Sequence, residues 1–252
     1  MKDIEIKQII NKLMLNPYSD GNISASDIIN EIISTPRSIT FINLHNMQLI
    51  EKETEIINNI DFMFIDGILL KWFLEKSKRI KLKRVSFDMT SIAKHLFDFA
   101  SKLKKTIYFI GGTNIEIEIA VENIQAKYRE LNIVGFHSGY FKNKSEENKT
   151  IAEILSKSPQ IVIVGMGTPK QEYFLFSLQK EGWSGLGFTC GAFIKQTAKN
   201  LYYYPKVFDK FNLRWLYRIF DEPKLFGRYF FEYPKVLLEL ILFNLRYGKD
   251  SS

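Results

Sequence analysis

Asp66 ends a short apolar run, Phe62 to Ile65, and is followed by Gly67. In open α/β sheets, ligands bind outside the carboxyl ends of the strands. A carboxylate at such an end can take a proton from an attacking hydroxyl. Asp-Gly is also a common turn pair, and spacing alone favours the turn. A second candidate is Gly165-Met-Gly-Thr-Pro-Lys-Gln-Glu172, which follows the buried run Ile161 to Val164. A strand, a glycine turn and a helix start form an anion site, because the free N–H groups and the helix dipole both favour phosphate. Here Thr168 is predicted to cap the helix, with Pro169 at its first position and Gln171 as the capping-box partner. Gly165 and Gly167 allow close approach of a ligand or another backbone. The alternative is a well-capped helix with no ligand.

Gly111-Gly112-Thr113-Asn114 is a second glycine turn between a strand and a helix, with Asn114 as the predicted cap. The Gly165 turn is not the dinucleotide fingerprint, since Lys170 stands where the third glycine belongs, and the Gly111 turn is also short of it and reads as structural. Arg84 and Asp88 follow the basic run Lys76 to Lys83, and composition alone reads them as a solvated charged face. His45, His95 and His137 are scattered without metal-ligand spacing, and there is no Asp-x-Asp pair. No metal and no cofactor is expected.

From Tyr202 to Tyr233, 13 of 32 residues are Phe, Tyr or Trp, interleaved with Lys206, Lys210, Arg214, Arg218, Lys224 and Arg228. Three readings apply to this tail. It packs on its own core, it lies on an anionic membrane surface, or it folds over a site and grips phosphate with forked guanidinium groups. The last two are compatible.

These residues need a frame. Apolar strands at Ser38–Asn43, Phe62–Ile65, Thr106–Ile110, Asn132–Gly135, Ile161 onward and Gly185–Thr189 alternate with helical patterns at Met47–Ile60, Ile92–Leu103, Asn114 to about Arg129, Glu147–Ser156 and after Thr168. Such alternation predicts a Rossmann-like α/β fold, with a mostly parallel sheet and helices on both faces. The first 35 residues read as polar and irregular. The expected division is an α/β catalytic domain over residues 1–200 and a short, helical, basic-aromatic appendage over 201–252.

The chain has 252 residues, a net charge of +7 and one cysteine, Cys190, so there is no internal disulfide framework. Charges interrupt the N-terminal apolar runs, unlike a signal peptide. The longest apolar stretch, Val236 to Leu245, is too short to span a bilayer and contains Glu239 and Asn244. The basic excess suits nucleic acid, anionic lipid or phosphorylated substrates alike. No nucleic-acid-binding signature favours the first.

The eight residues from Gly165 to Glu172 resemble the G-x-G-x-P-K-Q-E signature of the WecG/TagA/CpsF bacterial glycosyltransferases, glycosyltransferase family 26. Other pieces stand in the same order: Asn43 after a strand, Asp66-Gly67, Arg84 before Asp88, Gly111-Gly112, Gly135 before Gly139-Tyr140-Phe141, and Arg214-Trp-Leu-Tyr-Arg218 before Glu222-Pro223 and Arg228. The resemblance covers about residues 38–232. It implies inverting transfer from a UDP-sugar to a saccharide on undecaprenyl diphosphate, at the cytoplasmic face of the inner membrane, for capsular, exopolysaccharide or cell-wall polymers. Asp66 takes the place of the family's base. Asn43, Arg84, Gln171, Arg214, Arg218 and Arg228 take the places of its substrate-binding residues, joined here by Gly111, Gly112, Gly165 and Gly167 of the turns. The expected partners are a UDP-sugar donor, a lipid-linked acceptor and an anionic membrane surface, with no nucleic acid and with a homo-oligomer left open.

Three departures stand out. Phe41 occupies a usual threonine position, with Thr40 one residue earlier. Phe193-Ile-Lys-Gln196 replaces Phe-Asp-Phe, and Ser86-Phe87 replaces a glycine-containing pair. They bring the chain closer to the capsular and exopolysaccharide branch than to the teichoic acid enzymes. Two other functions compete: an oxidoreductase with a nucleotide cofactor, and a non-catalytic membrane-surface binding protein.

Overall fold

The computed structural model describes residues 3–211 and 213–247. Six strands, β1 (Arg37–Ile42), β2 (Phe62–Ile65), β3 (Thr106–Gly111), β4 (Asn132–His137), β5 (Ile161–Gly165) and β6 (Leu186–Thr189), form one sheet in the order β2-β1-β6-β5-β3-β4. Every pairing is parallel. The helices within this frame are α1 (Asp3–Leu15), α2 (Ala25–Ile32), α3 (Leu44–Ile50), α4 (Thr54–Asn59), α5 (Ile68–Lys78), α6 (Ile92–Lys102), α7 (Asn114–Lys127), α8 (Lys144–Lys157), α9 (Lys170–Lys180) and α10 (Phe193–Lys199). Beyond residue 200 lie α11 (Lys206–Lys210), α12 (Arg214–Asp221), a 3-10 turn at Pro223–Leu225, a π-helical segment at Arg228–Glu232 and α13 (Tyr233–Tyr247). Residues 248–252 of the expected appendage fall outside the described residues.

The strands sort their side chains by alternation. Ile107, Phe109, Ile161 and Ile163 face a core built with α2, α6, α7 and α10. Tyr108, Ile110, Val162 and Val164 face the opposite way, against α8 and α9. A third cluster joins Ile42, Met63 and Ile65 to α1, α3, α4, α5 and α13.

The first 35 residues are not irregular. Ile6, Ile9, Ile10 and Leu13 recur at helical spacing and bury one face of α1, while Ser24 and Asp27 close α2 with a capping box. The expected helix over Met47–Ile60 is two, α3 and α4, separated at Glu51–Glu53. Thr113, rather than Asn114, caps α7. The appendage is only partly composed of short helices: α13 has 15 residues, and its Tyr233, Val236 and Leu240 are buried in the core shared with α3 and α5.

Candidate active site

The carboxyl ends of β1, β2, β5 and β6 open into a cavity of about 780 Å3, roofed by residues of the appendage. That volume suits a small-molecule ligand of nucleotide-sugar size. Of the residues singled out from sequence, Asn43, Asp66, Arg84, Gly112, Gly165, Gly167, Gln171, Arg214, Arg218 and Arg228 line it. Gly111 does not. It pairs with Gly165 across β3 and β5, and an added Cβ would lie 2.3 Å from the Gly165 carbonyl oxygen. Its glycine is there for backbone packing.

Asp66 follows β2 directly, and its N–H donates to the Ile42 carbonyl (2.9 Å), which fixes the turn between the ends of β1 and β2. Arg84 is placed by the Val85 N–H, which donates to the Ile65 carbonyl at 2.8 Å. Its Nε donates to the Asp66 carbonyl (2.6 Å) and its Nη2 to Asp66 Oδ1 (3.2 Å). The Asp66 side chain keeps 30% of its surface exposed and lines the crevice. Burial raises its proton affinity, Arg84 opposes that, and nearby Asp88 adds to it, leaving a carboxyl with a pKa above the ordinary aspartate value. An ionised carboxylate of raised basicity, open on one side, is suited to accept a proton.

Asp88 is no part of a solvated charged face. It is buried and accepts from the Ser86 hydroxyl (2.6 Å), the Thr90 hydroxyl (2.6 Å) and Arg214 Nη1 (2.7 Å). Burial pushes its pKa up, but Arg214 and the hydroxyls outweigh that and hold it below the usual value. Arg214 also donates to Thr90 and stacks on Tyr204, 4.9 Å from the ring centroid. Arg214 therefore fastens the appendage to the α/β frame at the segment before α6. Lys195 does likewise by bonding Glu222 at 2.7 Å, and His45 by bonding Glu232 at 2.9 Å. Arg218 is placed differently. Its Nη2 sits 3.6 Å from Glu222, and its buried Nε has no hydrogen-bond partner among the described residues. No carboxylate lies within ion-pairing distance of Arg228 among the described residues. These two guanidinium groups line the cavity and can take an anion.

The turn after β5 departs from expectation. The Thr168–Pro169 peptide is cis, α9 starts at Lys170, and no side chain caps it. Gln171 is 2% exposed, and its carboxamide is engaged on both sides. Nε2 donates to Thr168 Oγ1 (3.1 Å) and Glu172 Oε1 (3.0 Å), while Oε1 accepts from the Gly191 N–H (3.0 Å). Gln171 staples the turn after β5 to the turn after β6. Glu172, which sequence reading passed over, is wholly buried and accepts from Thr40 Oγ1 at 2.7 Å, and Thr40 bonds Thr189 at 2.8 Å. Burial drives the Glu172 pKa up, and its Oε2 has no partner among the described residues. In this net Gln171 and Thr189 form a polar floor that lines the crevice, with Thr40 and Glu172 buried beneath it. Gly191, also missed, has φ +55° with open space where a side chain would stand.

Asn43 caps α3, accepting from the Asn46 N–H at 3.0 Å, and lines the crevice. Glu116 lines the far wall beside Gly112. A carboxylate there can accept from ligand hydroxyls, and it repels phosphate. Among the described residues no three His, Cys, Asp or Glu side chains come together to hold a metal ion.

The model of the glycosyl transferase WecG/TagA/CpsF family matches residues 20–250. A relative from Shigella boydii, UDP-Gal:alpha-D-GlcNAc-diphosphoundecaprenol beta-1,4-galactosyltransferase, is 38% identical over 230 residues, covering 90% of this chain and 96% of its own. A second, the N-acetylglucosaminyldiphosphoundecaprenol N-acetyl-beta-D-mannosaminyltransferase of Bacillus spizizenii, is 25% identical over 174 residues, covering 69% of this chain and 65% of its own. The match over nearly the whole chain, on a sheet whose strand ends gather the signature residues around one crevice, shows that this protein belongs to the WecG/TagA/CpsF family of glycosyl transferases.

Proposed function

We propose that this glycosyltransferase moves a sugar from a UDP-sugar to a saccharide carried on a polyprenyl diphosphate, inverting the anomeric centre, with Asp66 as the base. One observation carries the reading: a carboxyl of raised basicity lines the same cavity as the Arg218 and Arg228 guanidinium groups. The acceptor hydroxyl attacks the anomeric carbon and gives its proton to Asp66. The bond from that carbon to the diphosphate oxygen breaks, and UDP leaves with the electron pair. Its growing negative charge is met by the Arg218 guanidinium group and by the start of α9, both in place beforehand. Arg84 orients the base, and Asn43 and Glu116 can bond sugar or ribose hydroxyls.

UDP-galactose is the donor to test first, because the galactosyltransferase relative is the one matched over almost the full chain. N-acetylglucosamine on a lipid diphosphate is the matching acceptor, as in both relatives' names. Expected is release of UDP with formation of a β-linked disaccharide. Failure with every UDP-sugar, or an α-linked product, would refute the reading. Family membership and the absence of a glycine fingerprint set aside the oxidoreductase alternative.

The appendage exposes Phe220, Phe231, Leu238 and Leu245 together with Lys224, a composition suited to an anionic bilayer surface. No helix among the described residues is long and apolar enough to cross a membrane. The proposed location is therefore peripheral, on the cytoplasmic face. Truncation at residue 200 would remove buried Tyr233, Val236 and Leu240 from the core, so substitution of Phe220 and Phe231 by Ser is the cleaner test of vesicle binding.

A further inference from the structure

Helix α5 begins two residues after the candidate base and is apolar on two faces. Leu70, Phe73 and Leu74 are buried in the core. On the other side of the helix, Ile68, Leu69 and Trp72 are 38%, 40% and 51% exposed. At about 100° per residue these three fall within one 100° sector, directed away from the buried face. The stripe is not an isolated surface patch. Ile68 and Leu69 line the active-site cavity, and Trp72 extends the stripe one turn, about 6 Å, beyond Ile68. Phe230, 49% exposed and stacked on Phe226 at 4.3 Å, lines the same cavity from the appendage. Arg228 stands two residues before Phe230 and also lines it.

We infer that Ile68, Leu69 and Trp72, with Phe230 on the wall of the same cavity, form the seat for the first isoprene units of the acceptor lipid, with Arg228 at its diphosphate. The inference rests on the acceptor class proposed above and assigns which residues recognise its lipid part. Continuity with the reactive crevice selects this occupant over a bilayer surface or a second copy of the chain. Asp66, an unpaired guanidinium and an apolar lip sit around one cavity, and the acceptor offers a sugar, a diphosphate and a hydrocarbon chain in that order. A free sugar or a nucleotide would leave the stripe in water, where contiguous apolar surface is unfavourable.

The test uses farnesyl diphosphate, which has no sugar, so it reads the lipid seat independently of donor and acceptor saccharide. The emission of Trp72 should shift to the blue when farnesyl diphosphate is added and not when inorganic pyrophosphate is added, and Trp72→Phe should abolish the shift. By calorimetry, the Leu69→Ser/Trp72→Ser double variant should weaken farnesyl diphosphate binding about tenfold, as expected for uncovering part of a prenyl unit. It should leave pyrophosphate and UDP affinity unchanged. Both positions are exposed, so the variant should keep its melting temperature. Unchanged farnesyl diphosphate affinity would overturn the inference, and so would equal weakening of farnesyl diphosphate and pyrophosphate. Loss of vesicle binding or of self-association alone would reassign the stripe to a bilayer or a second copy. If farnesyl diphosphate binds as described but no UDP-sugar is transferred, the lipid seat stands and the proposed reaction fails.

Discussion

At the end of β3, Thr113 accepts from the Glu116 N–H (3.2 Å) and Glu116 accepts from the Thr113 N–H (2.8 Å), so the start of α7 engages two of its donors in a capping box and carries a carboxylate. At the end of β5, the neighbouring strand, no side chain caps α9, and Gln171 and Glu172 turn inward to the polar floor. The two turns look alike in sequence, each with paired or near-paired glycines between a strand and a helix. The first has its cap made and a carboxylate in place; the second has no side-chain cap, and among its backbone N–H groups that of Gln171 donates to the Gly167 carbonyl at 3.0 Å. A glycine turn marks where a ligand can approach, and the residues of the following helical turn decide whether its donors are still available.

The largest effect should come from the glycines themselves. Gly111 has φ +144°, and a Cβ there would meet the Gly165 carbonyl oxygen at 2.3 Å. Gly111→Ala should cost at least ~3 kcal/mol and sharply lower the melting temperature. Gly167 has φ +78° with nothing within 4 Å of an added Cβ, so Gly167→Ala should cost only the left-handed backbone term, about 1–2 kcal/mol. Equal melting temperatures for the two variants would break the comparison.

Next is the floor beneath the uncapped turn. Glu172→Ala takes one buried partner each from Thr40 and Gln171 and should cost about 2–3 kcal/mol in chemical denaturation. Glu172→Gln should be far milder. Because burial raises the folded-state pKa of Glu172 above its unfolded value, the folded chain holds the proton more tightly. Stability should fall as pH rises from the unfolded value through the raised one, and then level off. The Gln variant should lack that part of the pH dependence. The same fall in wild type and variant would mean that another group causes it.

The smallest effect should be at the capped turn. Thr113→Ala removes a helix cap and should cost about 1 kcal/mol without changing UDP affinity in a heat-protection assay. A large loss of UDP affinity would place a nucleotide phosphate at α7 and reverse the comparison.

The sheet was readable because buried parallel strands appear as continuous apolar runs such as Ile161–Val164. Asp66 was readable because it ends one of them. The N-terminal helices were obscured by lysine, asparagine and glutamate between their isoleucines, though the spacing Ile6, Ile9, Ile10, Leu13 was present to be found. Asp88 and Glu172 could not be read locally. Their partners Arg214 and Thr40 lie 126 and 132 residues away, and only the fold turns those polar side chains from surface charges into a latch and a floor. The same holds for the tail arginines: sequence grouped Arg214 with Arg218 and Arg228, whereas ion pairing to Asp88 sets Arg214 apart as a fastener.

The most direct test of the account is turnover by Asp66→Asn with UDP-galactose and lipid-linked N-acetylglucosamine, measured as a function of pH and accompanied by UDP heat protection on the same preparation. The expected result is a loss of ~10²–10⁴-fold in rate with UDP protection retained. The wild-type profile should show an acid limb, displaced above the ordinary aspartate range by the burial of Asp66, that disappears in the variant. Near-wild-type turnover by Asp66→Asn would contradict the assignment of Asp66 as the base.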